Sequence, residues 1–182
     1  MKRAVVDVVN LSMFEEFLNL TYFDVMEMPV MFDLDLKTLE GHYHQKQRVF
    51  HPDQFATKSA LEKTRATAYS SYLNEAFLTL KSSFLRGKYL LKLKENELGQ
   101  VFEAAPSPLF LMEALNLREK IESLTEISDL QKEAHELEKD LNSLERELKE
   151  QFEHNNYKEV SMTLMKVQYR IQALQNVQER LI

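Results

Sequence analysis

Pro29, Pro52, Pro106 and Pro108, with three glycines, are nearly all the helix-breaking punctuation in 182 residues. Proline lacks the N–H that an interior helical turn requires, and it pushes the residue before it out of the α region. These four positions therefore cut the chain into segments free to be helical, and those segments are rich in Leu, Glu and Lys. An all-α fold is expected. The balance of 44% hydrophobic and 29% charged residues is that of a soluble globular chain.

Local signals place the helices. Ser12-Met13-Phe14-Glu15 is a capping-box pattern, in which a hydroxyl and a carboxylate satisfy each other's backbone N–H groups. Thr21 caps a short turn holding Tyr22, Phe23, Val25 and Met26, which ends before Pro29. Asp35 opens the next helix, about Leu36 to Phe50. At about 100° per residue, Leu36, Leu39, Tyr43 and Phe50 share one face, and Lys37, His44 and Arg48 share another about a quarter-turn away. Two readings of that basic stripe stand, a solvated face and a docking surface. The helix leads into His51-Pro52-Asp53, where the proline stops it. A histidine near a helix C-terminus and an acid just past the break form a polar hook, expected on an exposed corner between two helices. Ser59-Ala60-Leu61-Glu62 is a second capping box. After it Leu61, Ala68, Leu73, Phe77, Leu80, Phe84 and Tyr89 recur at intervals that suit one long helix, antiparallel to the one before.

Lys94 to Pro108, with Gly99 and two prolines, breaks the pattern. The expected organisation is an extension over 1–20, a first domain over 21–94, a linker over 95–108 and a second domain over 109–182. In the second domain Phe110, Ala114, Leu117, Ile121 and Leu124 form one stripe. Ile127, Leu130, Ala134, Leu137, Leu141, Leu144 and Leu148 form another, alternating threes and fours. Asn155-Asn156 makes a turn, and Val160, Leu164, Val167, Ile171, Leu174 and Leu181 line a third helix. Short connections imply a three-helix bundle.

Those stripes leave apolar residues over. With Phe110 at zero, Leu111, Met112, Leu115 and Glu119 fall at about 100°, 200°, 140° and 180°. With Val160 at zero, Met162, Met165 and Tyr169 fall at about 200°, 140° and 180°. These side chains are expected to face outward, as an apolar patch rimmed by Arg118, Glu119 and Glu122. Such a patch is a partner site by default, and methionine suits it because it repacks easily. The alternative is that these faces dock onto the first domain.

The net charge of −6 is unevenly spread. Residues 22–94 carry 11 Lys/Arg against 8 Asp/Glu, and residues 95–182 carry 10 against 18. Two surfaces with different partners are suggested, and the acidic half argues against nucleic acid. No run approaches the ~18 apolar residues of a membrane span. Asp7 and Asn10 interrupt the apolar start, so no signal peptide is read and a cytoplasmic chain is expected. The absence of cysteine removes thiolate metal sites and a thiol nucleophile. His42 and His44 diverge on their helix, and His135 and His154 are isolated. No Gly-rich phosphate loop, helical His-x-x-x-His pair or Ser nucleophile elbow occurs. A binding protein is expected, without cofactor or metal, and not an enzyme.

The pattern Tyr22-Phe23, Met28-Pro29, Phe32-Asp33-Leu34-Asp35, Leu39, Tyr43, Arg48 and Phe50-His51-Pro52-Asp53-Gln54-Phe55 resembles the J domain of the HscB family, co-chaperones of bacterial iron–sulfur cluster assembly. Leu73 to Leu80 and Leu85 to Leu91 are similar to the family's third J helix and linker entry, and Phe110 to Glu119 to its scaffold-binding segment. The resemblance implies an L-shaped pair, a J domain (a helical hairpin plus a short helix) joined to a three-helix bundle. It implies stimulation of ATP hydrolysis by a specialised DnaK-type chaperone, HscA, and delivery to it of the scaffold IscU. In that reading His51, Pro52 and Asp53 trigger the ATPase, aided by Lys37, His44 and Arg48. Leu111, Met112, Leu115, Arg118, Glu119 and Tyr169 hold the scaffold, beside Met162 and Met165 of the same outer face. The chain departs from the family at Gln54, where a Lys or Arg is usual, at Lys46, where an apolar residue is expected, and at Ser83 and Asn116. Two rival readings are a J-domain co-chaperone for another client and a helical adaptor whose His-Pro-Asp is fortuitous.

Overall fold

A computed structural model of the chain describes residues 17, 19–50, 55 and 57–182. The Ser12–Glu15 capping pattern and the His51-Pro52-Asp53 corner lie outside them. Among the described residues the regular elements are α-helices: α1 (Tyr22–Val25), α2 (Leu36–Phe50), α3 (Ala60–Lys81), α4 (Ser83–Leu98), α5 (Pro108–Ser123), α6 (Ile127–Glu153) and α7 (Tyr157–Glu179). They divide into two compact units, one ending at Arg86 and one beginning at Gly87, with α4 running through the division.

In the first unit the caps are made by the residues the sequence offers for them. The Thr21 hydroxyl accepts the Asp24 N–H at 3.2 Å, and the Asp24 carboxylate accepts the Thr21 N–H at 3.1 Å. The Asp35 carboxylate accepts the Lys37 N–H at 3.1 Å and the Thr38 hydroxyl at 2.5 Å, opening α2. Ser59 and Glu62 make the reciprocal pair that opens α3. Each cap satisfies donors that a helix start leaves orphaned.

The α3 core face is Ala66, Tyr69, Leu73, Ala76 and Leu80, a run of threes and fours. It meets Phe23 and Met26 beside α1 and Leu39 of α2, all fully buried. Tyr43 stacks on Phe77 at 4.1 Å and donates to Asn74 at 2.8 Å, while Phe50 lies against Tyr69 at 3.8 Å. Burial pushes the Tyr69 phenol above its ordinary range. Leu36 and Leu61, expected in the core stripes, are exposed. Each sits in the first turn of its helix, where the facing helix gives no cover.

The long helix expected to reach Tyr89 is two helices. Ser82 is extended (φ −81°, ψ 120°), and its hydroxyl and carbonyl accept the N–H groups of Leu85 and Arg86, starting α4 afresh. The break places Arg86 inside the unit, 4% exposed, over the Phe32 ring and donating to the carbonyls of Phe32 and Leu80 at 2.6 Å each. Leu80 is in the last turn of α3, so the arginine satisfies a carbonyl that has no N–H ahead of it. Lys46 is the other polar residue at a core edge. Its side chain is 20% exposed, and its ammonium reaches Glu27 at 2.5 Å while the stem stays covered. Glu27 itself stands in the left-handed region, φ 53°.

In the second unit Gly99, at φ 62°, ends α4 and lets the Gln100 N–H return to the Glu95 carbonyl at 3.1 Å. The segment that follows is tied to the bundle. Phe102 is buried near the Tyr157 ring, and the Ala104 N–H donates to Ser161 Oγ at 3.1 Å. Ser107 caps α5 with Pro108 in its first turn. Asn155, at φ 58°, makes the turn between α6 and α7. Ile121, Leu130, Leu137 and Val177 join the three helices in one core cluster, with Leu117, Leu124, Ala173, Leu174 and Leu181 packed around it. Ile127 lies outside that core, 64% exposed, at the first residue of a helix that has no side-chain cap. The buried acid Glu133, unannounced by periodicity, pairs with Lys120 of α5.

Two outcomes follow from this packing. Leu137→Ala removes a side chain that is 1% exposed at the meeting point of three helices, so urea unfolding of the variant should show a loss of about 2–5 kcal/mol. The hydrogen bond and charge of Lys46 hold the Glu27 carboxyl below its ordinary 4.5. A depressed carboxyl stabilises the fold fully above its unfolded value, and that contribution is lost as pH falls through the lower folded value. Glu27→Gln should therefore melt below the wild type at neutral pH, and the two melting curves should converge as pH drops below 4.5.

Candidate docking surfaces

The outer face of the bundle is set by how α5 is attached. Its buried residues are only Ala114 and Ile121, a narrow stripe. Two polar side chains, Tyr169 in α7 and Arg180 just past its end, complete the attachment. The Tyr169 hydroxyl donates to the Ala114 carbonyl, and the Arg180 guanidinium donates to the carbonyls of Ile121 and Leu124. The Tyr169 ring also meets Phe110 edge-on at 5.9 Å. Residue 169 lies beside 114 and residue 180 beside 121 and 124, so α5 and α7 run in the same direction. Met165 and Met162, one and two turns before Tyr169, accordingly stand alongside the N-terminal half of α5.

Leu111, Met112 and Leu115 project from that half at 54%, 62% and 55% exposure, and Met162 at 48%. Leu109 is exposed beside them. Met165 is half-buried. Arg118 and Glu119 are exposed at the polar end of the face, where Arg118 donates to Glu122 at 2.7 Å. That hydrogen bond raises the guanidinium's already high pKa.

Tyr169 departs from the outward position expected of it. It is half-buried, with its hydroxyl engaged on Ala114, and it serves the helix contact as much as the surface. Periodicity gives no sign of this, because the bond depends on which carbonyl the neighbouring helix presents. A cleft of about 330 Å³ also opens between α5 and α7 over Ile121 and the small Ala173, bordered by Arg118, Glu122 and Asn176.

On the first unit Lys37, His44 and Arg48 are exposed along α2, in the direction of residue 51. His42 turns the other way, with Nδ1 donating to the Met26 carbonyl at 2.8 Å, so the two histidines diverge as their spacing requires. Among the described residues no group of three or more His, Asp or Glu could hold a metal ion, and no helix is long and apolar enough to cross a membrane.

Residues 106–180, which contain this outer face, match the family model described as the HSCB C-terminal oligomerisation domain. Over 110 residues, 60% of its length, the chain is 37% identical to a co-chaperone protein HscB homolog of Vibrio cholerae. That match spans 64% of the relative, less than two thirds of it. The fold is similar to that of the chaperone HscB from Vibrio cholerae, with a TM-score of 0.78 and 26% identity over 88% of this chain and 97% of that one. The human co-chaperone protein HscB shares the fold with a TM-score of 0.82, at 24% identity over 90% of this chain and 83% of that one. Together these likenesses establish an all-helical fold of J domain plus C-terminal helical bundle.

Proposed function

We propose, from its likeness to the HscB co-chaperones, that the chain brings an IscU-type iron–sulfur scaffold to an HscA-type member of the DnaK chaperones and stimulates that chaperone's ATPase. The observation that carries the reading is the exposed apolar face of Leu111, Met112, Leu115 and Met162, which lies inside the region matched by the family model. In this reading residues 109–182 capture the scaffold, residues 21–94 address the chaperone, and residues 95–108 join them.

The division of labour follows from the chemistry of each surface. Covering apolar side chains with a folded partner removes them from water at about 25 cal/mol per Å². Arg118, Glu119 and the Arg118–Glu122 pair at the polar end fix the partner's orientation more than they hold it. At the other end of the chain Asp53, with His51 and Pro52, meets a cationic site on the chaperone while Lys37, His44 and Arg48 meet acidic groups. A charge-assisted contact made in only one conformation of the chaperone biases it toward that conformation. Tethering the scaffold beside the client cleft raises its effective concentration there.

A second reading is favoured by the matched domain's description as an oligomerisation domain: the same apolar face takes a second copy of the chain. Sedimentation of the protein alone and with scaffold separates the two, since self-association through this face competes with scaffold capture.

Alanine at Leu111, Met112 or Leu115 should each weaken calorimetrically measured scaffold binding by on the order of 1 kcal/mol or more. Full affinity in all three variants would remove this face from the interface. Tyr169 is not a clean probe of the surface, because phenylalanine there removes the hydrogen bond to the Ala114 carbonyl and alanine also deletes the ring contact with Phe110. Asp53→Asn should abolish ATPase stimulation while circular dichroism stays unchanged; undiminished stimulation would sink the role given to the corner.

A further inference from the structure

The sulfur chemistry of the chain is confined to methionine, because it has eight methionines and no cysteine. Of the methionines described, Met26 and Met28 are buried, at 0% and 8% exposure. Solvent reaches Met31, Met112, Met162 and Met165, and three of those four stand on the outer face of α5 and α7. Among the described residues, the oxidisable sulfur that faces water is thus concentrated on the apolar face of α5 and α7.

We propose that Met112 and Met162 are sites of reversible sulfoxidation that switch this face off. The inference rests on the function given above for its consequence, but not for its chemistry. A peroxide transfers one oxygen atom to the thioether: the O–O bond breaks, an S=O bond forms, the sulfur is oxidised by two electrons, and the peroxide leaves as water or an alcohol. Two thiols of a reductase reverse it, taking the oxygen away as water and closing to a disulfide.

The product is a strong hydrogen-bond acceptor on a side chain that was apolar. A partner that covers Met112 beside Leu111 and Leu115 would have to bury that oxygen among hydrocarbon, without a donor. The nearest cation on the α5 outer face, Arg118, already donates to Glu122. Leucine at the same positions would be equally apolar and inert to peroxide, so methionine adds adaptability together with sensitivity.

The test treats the full chain with hydrogen peroxide and follows each methionine by peptide mass spectrometry. Met112 and Met162 should gain oxygen well before Met26 and Met28; equal rates would overturn the assignment. The purified IscU-type scaffold is then titrated before and after treatment. Oxidised wild type should bind at least about tenfold more weakly with its helicity unchanged. The Met112→Leu/Met162→Leu variant, whatever its starting affinity, should keep that affinity through treatment. Undiminished binding by oxidised wild type, or an equal loss in the variant, would refute the switch.

Retention on a phenyl column reads the same surface without any partner. Oxidised wild type should elute earlier than untreated protein, and the variant, which keeps Met1, Met13, Met31 and the half-buried Met165, should lose most of that shift. If untreated protein fails to bind the scaffold, the proposed partner falls while the column and the mass spectra still decide the modification. A variant that shifts as much as wild type would refute it there too.

Discussion

The attachment of α5 to α7 is the constraint on which the bundle's surface depends. A helix that buried a broad apolar stripe would have turned Leu111, Met112 and Leu115 toward the core, where their chemistry alone would place them. Instead α5 is held by Ala114 and Ile121, which bring the backbones close, and by the hydroxyl of Tyr169 and the guanidinium of Arg180 on α5 carbonyls. Polar contacts of this kind specify rotation, since each needs one carbonyl in one direction. The arginine also serves the open C-terminal end of α5, whose last carbonyls have no helical donor. Fixing the rotation of α5 from the inside is what leaves its apolar outer face displayed.

The first unit uses buried cations in the same way. Arg86 sits where a hydrocarbon would pack, but it closes the C-terminal end of α3 and ties the Phe32 loop to it. Lys46 holds Glu27, a residue in the left-handed region, against α2. With His42 on the Met26 carbonyl, the loop between α1 and α2 is therefore anchored at three points, and the face of α2 carrying Lys37, His44 and Arg48 is turned outward.

What could be read from the sequence was what is decided locally. The Thr21 cap, the box at Ser59, the Asp35 cap and the turn at Asn155 depend on side chains within a few residues of the backbone they satisfy, and each is where the sequence puts it. Exposure of Leu111, Met112 and Leu115 followed from the helical period once a buried stripe was assigned. The misses have two causes. Leu36, Leu61 and Ile127 carry the right residue type for the core, but helix ends lack a neighbour to cover them. The break at Ser82 has no proline or glycine to announce it, because an arginine four residues on makes it favourable. Glu133 is buried because Lys120 lies opposite, and Tyr169 turns inward because Ala114 presents a carbonyl. Pair interactions across elements leave no trace in a one-dimensional period. The roles of His51, Pro52 and Asp53 rest on resemblance, since those residues lie outside the ones described.

The opposed charges of the two halves bear on selection more than on strength. Residues 95–182 carry 18 acids against 10 bases, a field that repels acidic partners and favours basic ones. At physiological salt that field is screened beyond about 8 Å, so it acts only in the last stage of approach. An exposed ion pair formed there is worth only about 0–1 kcal/mol. A single well-covered leucine side chain exceeds that, at about 1.5–3 kcal/mol. Under the proposed function the acidic bundle would therefore choose among partners by charge and hold the chosen one by Leu111, Met112 and Leu115. The basic stripe of α2 has no comparable apolar patch among Lys37, His44 and Arg48, so contacts made through it should form and break quickly and weaken with added salt.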